Sequence, residues 1–155
     1  LKKSKYDKSK TNNYDIIIVD TSPGITKESI LAIQNANFNI IIGTTEPTSV
    51  LDTYAFIKLL TLNRINTENY LIFNKSLDES DAKTASENLT KALNHFLKID
   101  LNSIGYITYD KEVMVSFHKQ KIYVESNSNS KVSGEIKKVA DKITVLCSTA
   151  KYAGE

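Results

Sequence analysis

Apolar positions along the chain switch between two periods. Ile16 to Val19 is an unbroken run of four, the pattern of a strand buried on both faces. Phe38 to Ile42, Tyr70 to Phe73 and Leu101 to Ile107 predict three more strands. Between them the spacing turns helical. Helices are predicted over Glu28 to Ala36, Ser49 to Asn63, Ala82 to Leu97, Glu112 to Lys119 and Ser133 to Cys147. In the second, Val50, Leu51, Tyr54, Ala55, Ile57 and Leu60 fall near one face, and Ser49-x-x-Asp52 resembles a capping box. In the third, Leu89, Ala92, Leu93, Phe96 and Leu97 form the stripe. In the last, Ile136, Val139, Ala140, Ile143, Leu146 and Cys147 point inward.

This alternation implies an α/β fold, a mostly parallel sheet with helices on both faces. Ligands of such sheets sit at the carboxyl ends of the strands. Each predicted strand ends on polar residues: Asp20-Thr-Ser-Pro-Gly24, Gly43-Thr-Thr-Glu-Pro47, Asn74, and Thr108-Tyr-Asp110. Four such ends would share one rim. There is no internal repeat.

Composition narrows the classes. The 155 residues suffice for one domain with a real core. A net charge of +2 gives no argument for nucleic acid. The single cysteine, Cys147, excludes an intramolecular disulfide and fits a reducing compartment. No apolar run approaches the roughly 20 residues that cross a bilayer. No signal peptide is visible, so a cytoplasmic location is expected. The lysines of segment 1–13 read as a basic flexible linker. The chain starts at Leu1 and its only methionine is Met114, so a piece of a longer protein is expected.

Asp20 carries the first chemical suggestion. A carboxylate at the end of a buried strand can hold Mg²⁺ directly or through water. Gly24 would let backbone approach a phosphate, and Pro23 would stiffen the turn. The plain alternative is a turn cap.

Four stretches then come in order: YDIIIVDTSPGIT, IIIGTTEPTSVLDTYAFIKLL, LIFNKS and IGYITYDKEVMVSFHKQK. Together they resemble the MinD/ParA class of deviant P-loop ATPases, and within it the flagellar-number regulators FlhG, FleN and YlxH. The TTEPTSVLDTYAFIK stretch is the most specific match. The resemblance runs from about Tyr14 to Ile143. It implies a partial MinD-like P-loop NTPase fold, with residues 14–150 as the C-terminal half of an ATPase domain and 151–155 as a tail.

Position by position, the resemblance implies the following. Asp20 stands near Mg²⁺. Thr21, Ser22, Pro23 and Gly24 form a switch loop that senses the γ-phosphate. Glu46 and Pro47 lie near the face where two monomers clasp ATP. Asn74 reads the adenine edge, and Ile107, Thr108, Tyr109 and Asp110 form the loop covering the base. Thr108 stands where that class usually has proline, and Ile122 and Ser128 replace two further prolines. ATP, Mg²⁺, an ATP-dependent homodimer and flagellar assembly proteins as partners are what the resemblance implies for an intact protein. A membrane surface is a weaker implication, from a tail that starts near Leu146. Nucleic acid is not expected.

The chain lacks the Lys-Gly-Gly-x-Gly-Lys-Thr loop of that class; it has five glycines, none clustered. The first switch aspartate is missing too. The 155 residues alone are therefore expected to bind ATP weakly and to hydrolyse none, and no catalytic residue is assigned in them. The strand that normally lies beside Asp20 is absent, so Ile16 to Val19 is expected to form an exposed apolar edge.

Other features read as structural. His95 and His118 lack partners at ligand spacing. Cys147 sits on an apolar helix face. Asp78, Glu79 and Asp81 suit a helix start. Lys137, Lys138 and Lys142 form a solvated face. Three functional readings stay open: half of a flagellar ATPase switch, a non-enzymatic protein-binding remnant, and an ATPase of septum placement or DNA partition.

Overall fold

The computed structural model describes residues 14–152. The basic segment 1–13 and the last residues of the expected tail lie outside the described residues. The elements run α1 (Lys27–Asn35), β1 (Phe38–Gly43), α2 (Pro47–Leu62), β2 (Glu68–Ser76), α3 (Glu79–Leu97), β3 (Asn102–Thr108), α4 (Lys111–His118), α5 (Tyr123–Ser126) and α6 (Lys131–Tyr152). The strands form a parallel sheet in the order β1-β2-β3.

The middle strand shows why β2 reads as a continuous apolar run. Leu71 and Phe73 face one side and pack with Ile57 of α2 and Ala82, Ala85, Leu89 and Leu93 of α3. Tyr70 and Ile72 face the other, with Ile104 of β3 and Val139 of α6. Helices thus cover both faces, as the alternation predicts. Burying side chains the size of Leu93 or Phe73 contributes about 1.5–3 kcal/mol each. A third cluster, Ile33, Leu60 and Ile65, fastens α1 to the end of α2.

Each helix start has a local cause. Thr26 accepts the Ser29 backbone N–H at 3.0 Å, and Ser29 Oγ accepts the Thr26 N–H at 2.9 Å, a reciprocal box that begins α1. Asp78 accepts the Asp81 N–H at 2.8 Å and begins α3, as the acidic cluster suggests.

Four expectations need correction. Ile16 to Val19 forms no strand: it carries no regular structure, and Ile18 is 84% exposed. An apolar run becomes a strand only where a ladder partner exists, and no described strand pairs with it. The expected exposure is there; the expected strand is not. The Ser49 capping box does not form either. Helix α2 starts at Pro47, whose fixed φ and missing N–H suit a first position, with Glu46 as N-cap. Ser49 Oγ instead accepts the Thr44 N–H at 2.9 Å. Leu51, Ala55 and Phe96 are exposed, because α2 and α3 turn narrower stripes inward than their apolar positions suggest. Ala140, expected inward on α6, is exposed as well. Helix α5 is an addition to the predicted elements.

Candidate functional site

Parallel strands bring the ends of β1, β2 and β3 to one rim. Gly43 pairs with Phe73, Asn74 with Ile107, and Ser76 with Thr108. Gly43 is buried there, and a β-carbon on it would stand 3.0 Å from Thr53 Oγ1.

Asn74 lies at a break in the ladder. The register slips between Asn74 and Ser76, and Lys75 takes φ +59°, a conformation favouring glycine. Asn74 Oδ1 accepts the Lys75 N–H at 2.9 Å. Its Nδ2 makes no hydrogen bond among the described residues and remains a donor at the rim.

The loop Ile107 to Asp110 is tied down on three sides. The Tyr109 N–H donates to Ser76 O at 2.8 Å, and Ser76 Oγ donates to Ile107 O at 3.4 Å. The Thr108 N–H and Oγ1 both donate to Glu135 Oε2 of α6, at 2.8 and 2.9 Å. Asp110 Oδ1 accepts the Glu112 N–H at 2.8 Å and caps α4, while Oδ2 accepts the Tyr123 hydroxyl at 2.6 Å. That hydroxyl, followed by the Glu112 N–H, holds the Asp110 carboxyl below its ordinary range. Asp110 is thus committed to structure through both oxygens. Tyr109 is left exposed beside the rim.

A second tie joins the loops after β1 and β2. Asp81 Oδ2 accepts the Leu77 N–H at 3.0 Å and the Thr45 hydroxyl at 2.7 Å. Those bonds, the Leu77 one first, lower its pKa. Glu46 and Pro47 follow Thr45 and are exposed. Glu135, Tyr123 and Asp81 are site-shaping residues that sequence reading missed. A signal for the first was there: a threonine in place of proline adds a backbone N–H that needs an acceptor when buried.

The polar ends of β1, β2 and β3 share the rim, and Asp20 stands apart from them. Asp20 and Thr21 to Gly24 are exposed, and Gly24 takes φ +85°, a conformation that glycine adopts without strain. They precede α1 and do not join the sheet, so the structure unites three of the four expected polar ends. Among the described residues, no group of three His, Cys, Asp or Glu could hold a metal. A lone carboxylate fits Mg²⁺ only where phosphates supply the other ligands.

No family profile matches the chain. It is 32% identical over 133 residues to the antiactivator FleN of Pseudomonas aeruginosa, covering 86% of this chain and 48% of FleN. The chain is a MinD-like relative of FleN and YlxH. The flagellum site-determining protein YlxH of Helicobacter pylori is 26% identical over 130 residues, covering 83% of this chain and 44% of YlxH. The MinD cell division protein of Aquifex aeolicus has the same fold, with a TM-score of 0.67 at 22% identity, over 88% of this chain and 56% of MinD. The chain thus spans about half the length of the curated relatives it matches. Its likeness to FleN and YlxH supports the resemblance drawn from the TTEPTSVLDTYAFIK stretch. No described helix is long and apolar enough to cross a membrane.

Proposed function

We propose that this chain is the base-binding and dimer-facing half of a MinD-like ATP switch that regulates flagellar number or placement. The observation that carries this is the rim itself. Asn74 Nδ2 stands next to a loop fixed through Thr108 and Tyr109, on a chain that resembles FleN over most of its length. The amide supplies a donor to a purine edge, and the fixed loop supplies a wall with little ordering cost on binding. Exposed Glu46 and Pro47 belong to the surface on which a second copy clasps the nucleotide. Asp20 holds Mg²⁺ once phosphates are bound, and Thr21 to Gly24 respond to the γ-phosphate. Hydrolysis requires the phosphate-loop half. The switch acts in the cytoplasm or at the inner membrane surface, on flagellar assembly proteins.

The test joins residues 14–152 to a phosphate-loop half, with or without Asn74→Ala or Asp20→Ala. The longer protein is expected to bind ATP and to dimerise with Mg²⁺·ATP. Asn74→Ala weakens binding, and Asp20→Ala removes the Mg²⁺ dependence. Absence of any nucleotide binding by the longer protein sinks the reading.

One observation favours a second reading, a protein-binding module without nucleotide. Exposed Ile16, Ile17, Ile18 and Val19, with Ile42 on the edge strand, offer apolar surface to a partner. A folded monomer that resists aggregation and ignores ATP in the longer form supports it.

A further inference from the structure

Glu135 is the one carboxylate among the buried described residues, 6% exposed, and it lies on α6, away from the sequence stretches that suggest chemistry. Its Oε2 receives both donors of Thr108. Its Oε1 has no hydrogen-bond partner and faces Lys131 Nζ at 3.7 Å. A buried carboxylate is costly unless its lone pairs are used. Here half of it is spent on one residue at the centre of the rim loop. The neighbouring ties fall elsewhere: Tyr109 is held by β2 and Asp110 by α4 and α5. Thr108 is the loop residue gripped from α6.

We propose that Glu135 is a positioning residue that sets the Ile107–Asp110 wall and thereby the affinity of the rim for an adenine base; this rests on the nucleotide reading above. A charged acceptor taking two donors of one residue fixes both the peptide plane and the side-chain rotamer of Thr108. That geometry places Ile107 and Tyr109 on either side of it. Proline at 108, with neither donor, would leave Glu135 buried without purpose, so the threonine and the glutamate form a matched pair. Lys131 offsets the charge at the outer oxygen without reaching the loop.

The experiment uses the 155-residue chain and adenosine, which carries the base without phosphates. Titrations are followed by the backbone amide signals of Asn74 and residues 107–110, with inorganic tripolyphosphate as the phosphate-only probe. Wild type is expected to bind adenosine at roughly millimolar affinity. Glu135→Ala weakens adenosine binding about tenfold or more, equivalent to roughly 1.4 kcal/mol, and leaves the tripolyphosphate response unchanged. Glu135→Gln, which keeps a neutral acceptor and the side-chain volume, falls between the two. If the alanine variant does not fold, the comparison with Glu135→Gln decides. Thermal melts separate stability from affinity, because a merely structural glutamate lowers the melting temperature without changing adenosine affinity below it. Wild-type binding that is unaltered in the folded variants overturns the role of Glu135. A wild type in which adenosine shifts none of these signals overturns the base-binding reading itself.

Discussion

A β-carbon added to Gly105 would stand 2.6 Å from Val139 Cγ2. Helix α6 therefore lies on β3 as closely as a strand without a side chain permits. Real β-carbons do not tolerate that separation, and Val139 is buried, with little room to turn. Gly105→Ala is expected to destabilise the fold by about 1–3 kcal/mol, the usual range for overpacking. Urea unfolding checks this. Val139→Ala in the same chain should return part of the loss. An additive double variant would mean that the two residues do not meet.

The Tyr123 hydroxyl and Asp110 give a pH dependence of known sign. Hydrogen bonds from Tyr123 and then Glu112 lower the Asp110 pKa in the folded state. Its contribution to stability is present above the unfolded value, near 3.9, and is lost as pH falls through the folded value. The melting temperature should drop in that acid window. Tyr123→Phe removes the larger cause, so the Asp110 pKa should move back toward its ordinary value and the acid slope should flatten. Carboxyl chemical shifts followed against pH measure the first effect directly. An unmoved Asp110 titration would show that the tyrosine bond does not form.

The elements were legible where periodicity and packing agree. Tyr70 to Phe73 reads as a buried strand because alternate residues serve two cores, with Leu71 and Phe73 on one face and Tyr70 and Ile72 on the other. Ile16 to Val19 carries the same signal and gives no strand, because periodicity reports what a segment can bury and not whether a ladder partner exists. The candidate site divides in the same way. That Asn74 and Thr108 share the rim was legible from their places at the ends of the predicted strands. Glu135 and Asp81 were not, because they reach the rim from helices 27 and 36 residues away from their partners Thr108 and Thr45. No local pattern encodes such a long-range bond.

Exposed apolar residues on edge strand β1 and in segment 16–19 should control self-association. Ile42 is 65% exposed on edge strand β1, and Ile18 is 84% exposed. Unpaired edges and apolar surface of this kind recruit other chains. The isolated chain is expected to associate as concentration rises, and Ile42→Lys with Ile18→Lys should shift it toward monomer with little change in stability. Sedimentation velocity over a range of concentrations checks the expectation. Unchanged association by the double variant would place the sticky surface elsewhere among the exposed apolar residues, which include Met114 and Phe117 of α4.

Asp81 holds two rim loops with one oxygen, and its removal should loosen both together. The Leu77 N–H and the Thr45 hydroxyl converge on Oδ2, while the backbone N–H of Asp81 is itself used by Asp78. The helix cap therefore survives Asp81→Ala, and the loop ties do not. Amide exchange at Leu77 should accelerate, and signals from Thr44 to Glu46 should shift, with α3 still helical by circular dichroism. Asp81→Asn keeps one acceptor and should restore most of the Leu77 protection at neutral pH. Because the folded pKa of Asp81 is lowered, protonation should mimic the alanine variant only in acid, as pH falls below the unfolded carboxylate value and through the folded one. Faster exchange at Leu77 without a response at Thr45 would show that the two loops are held separately. In that case Glu46 and Pro47 gain nothing from Asp81, and the surface they present is set by the start of α2, through the Thr44 N–H to Ser49 Oγ bond and the Val50 N–H to Glu46 O bond.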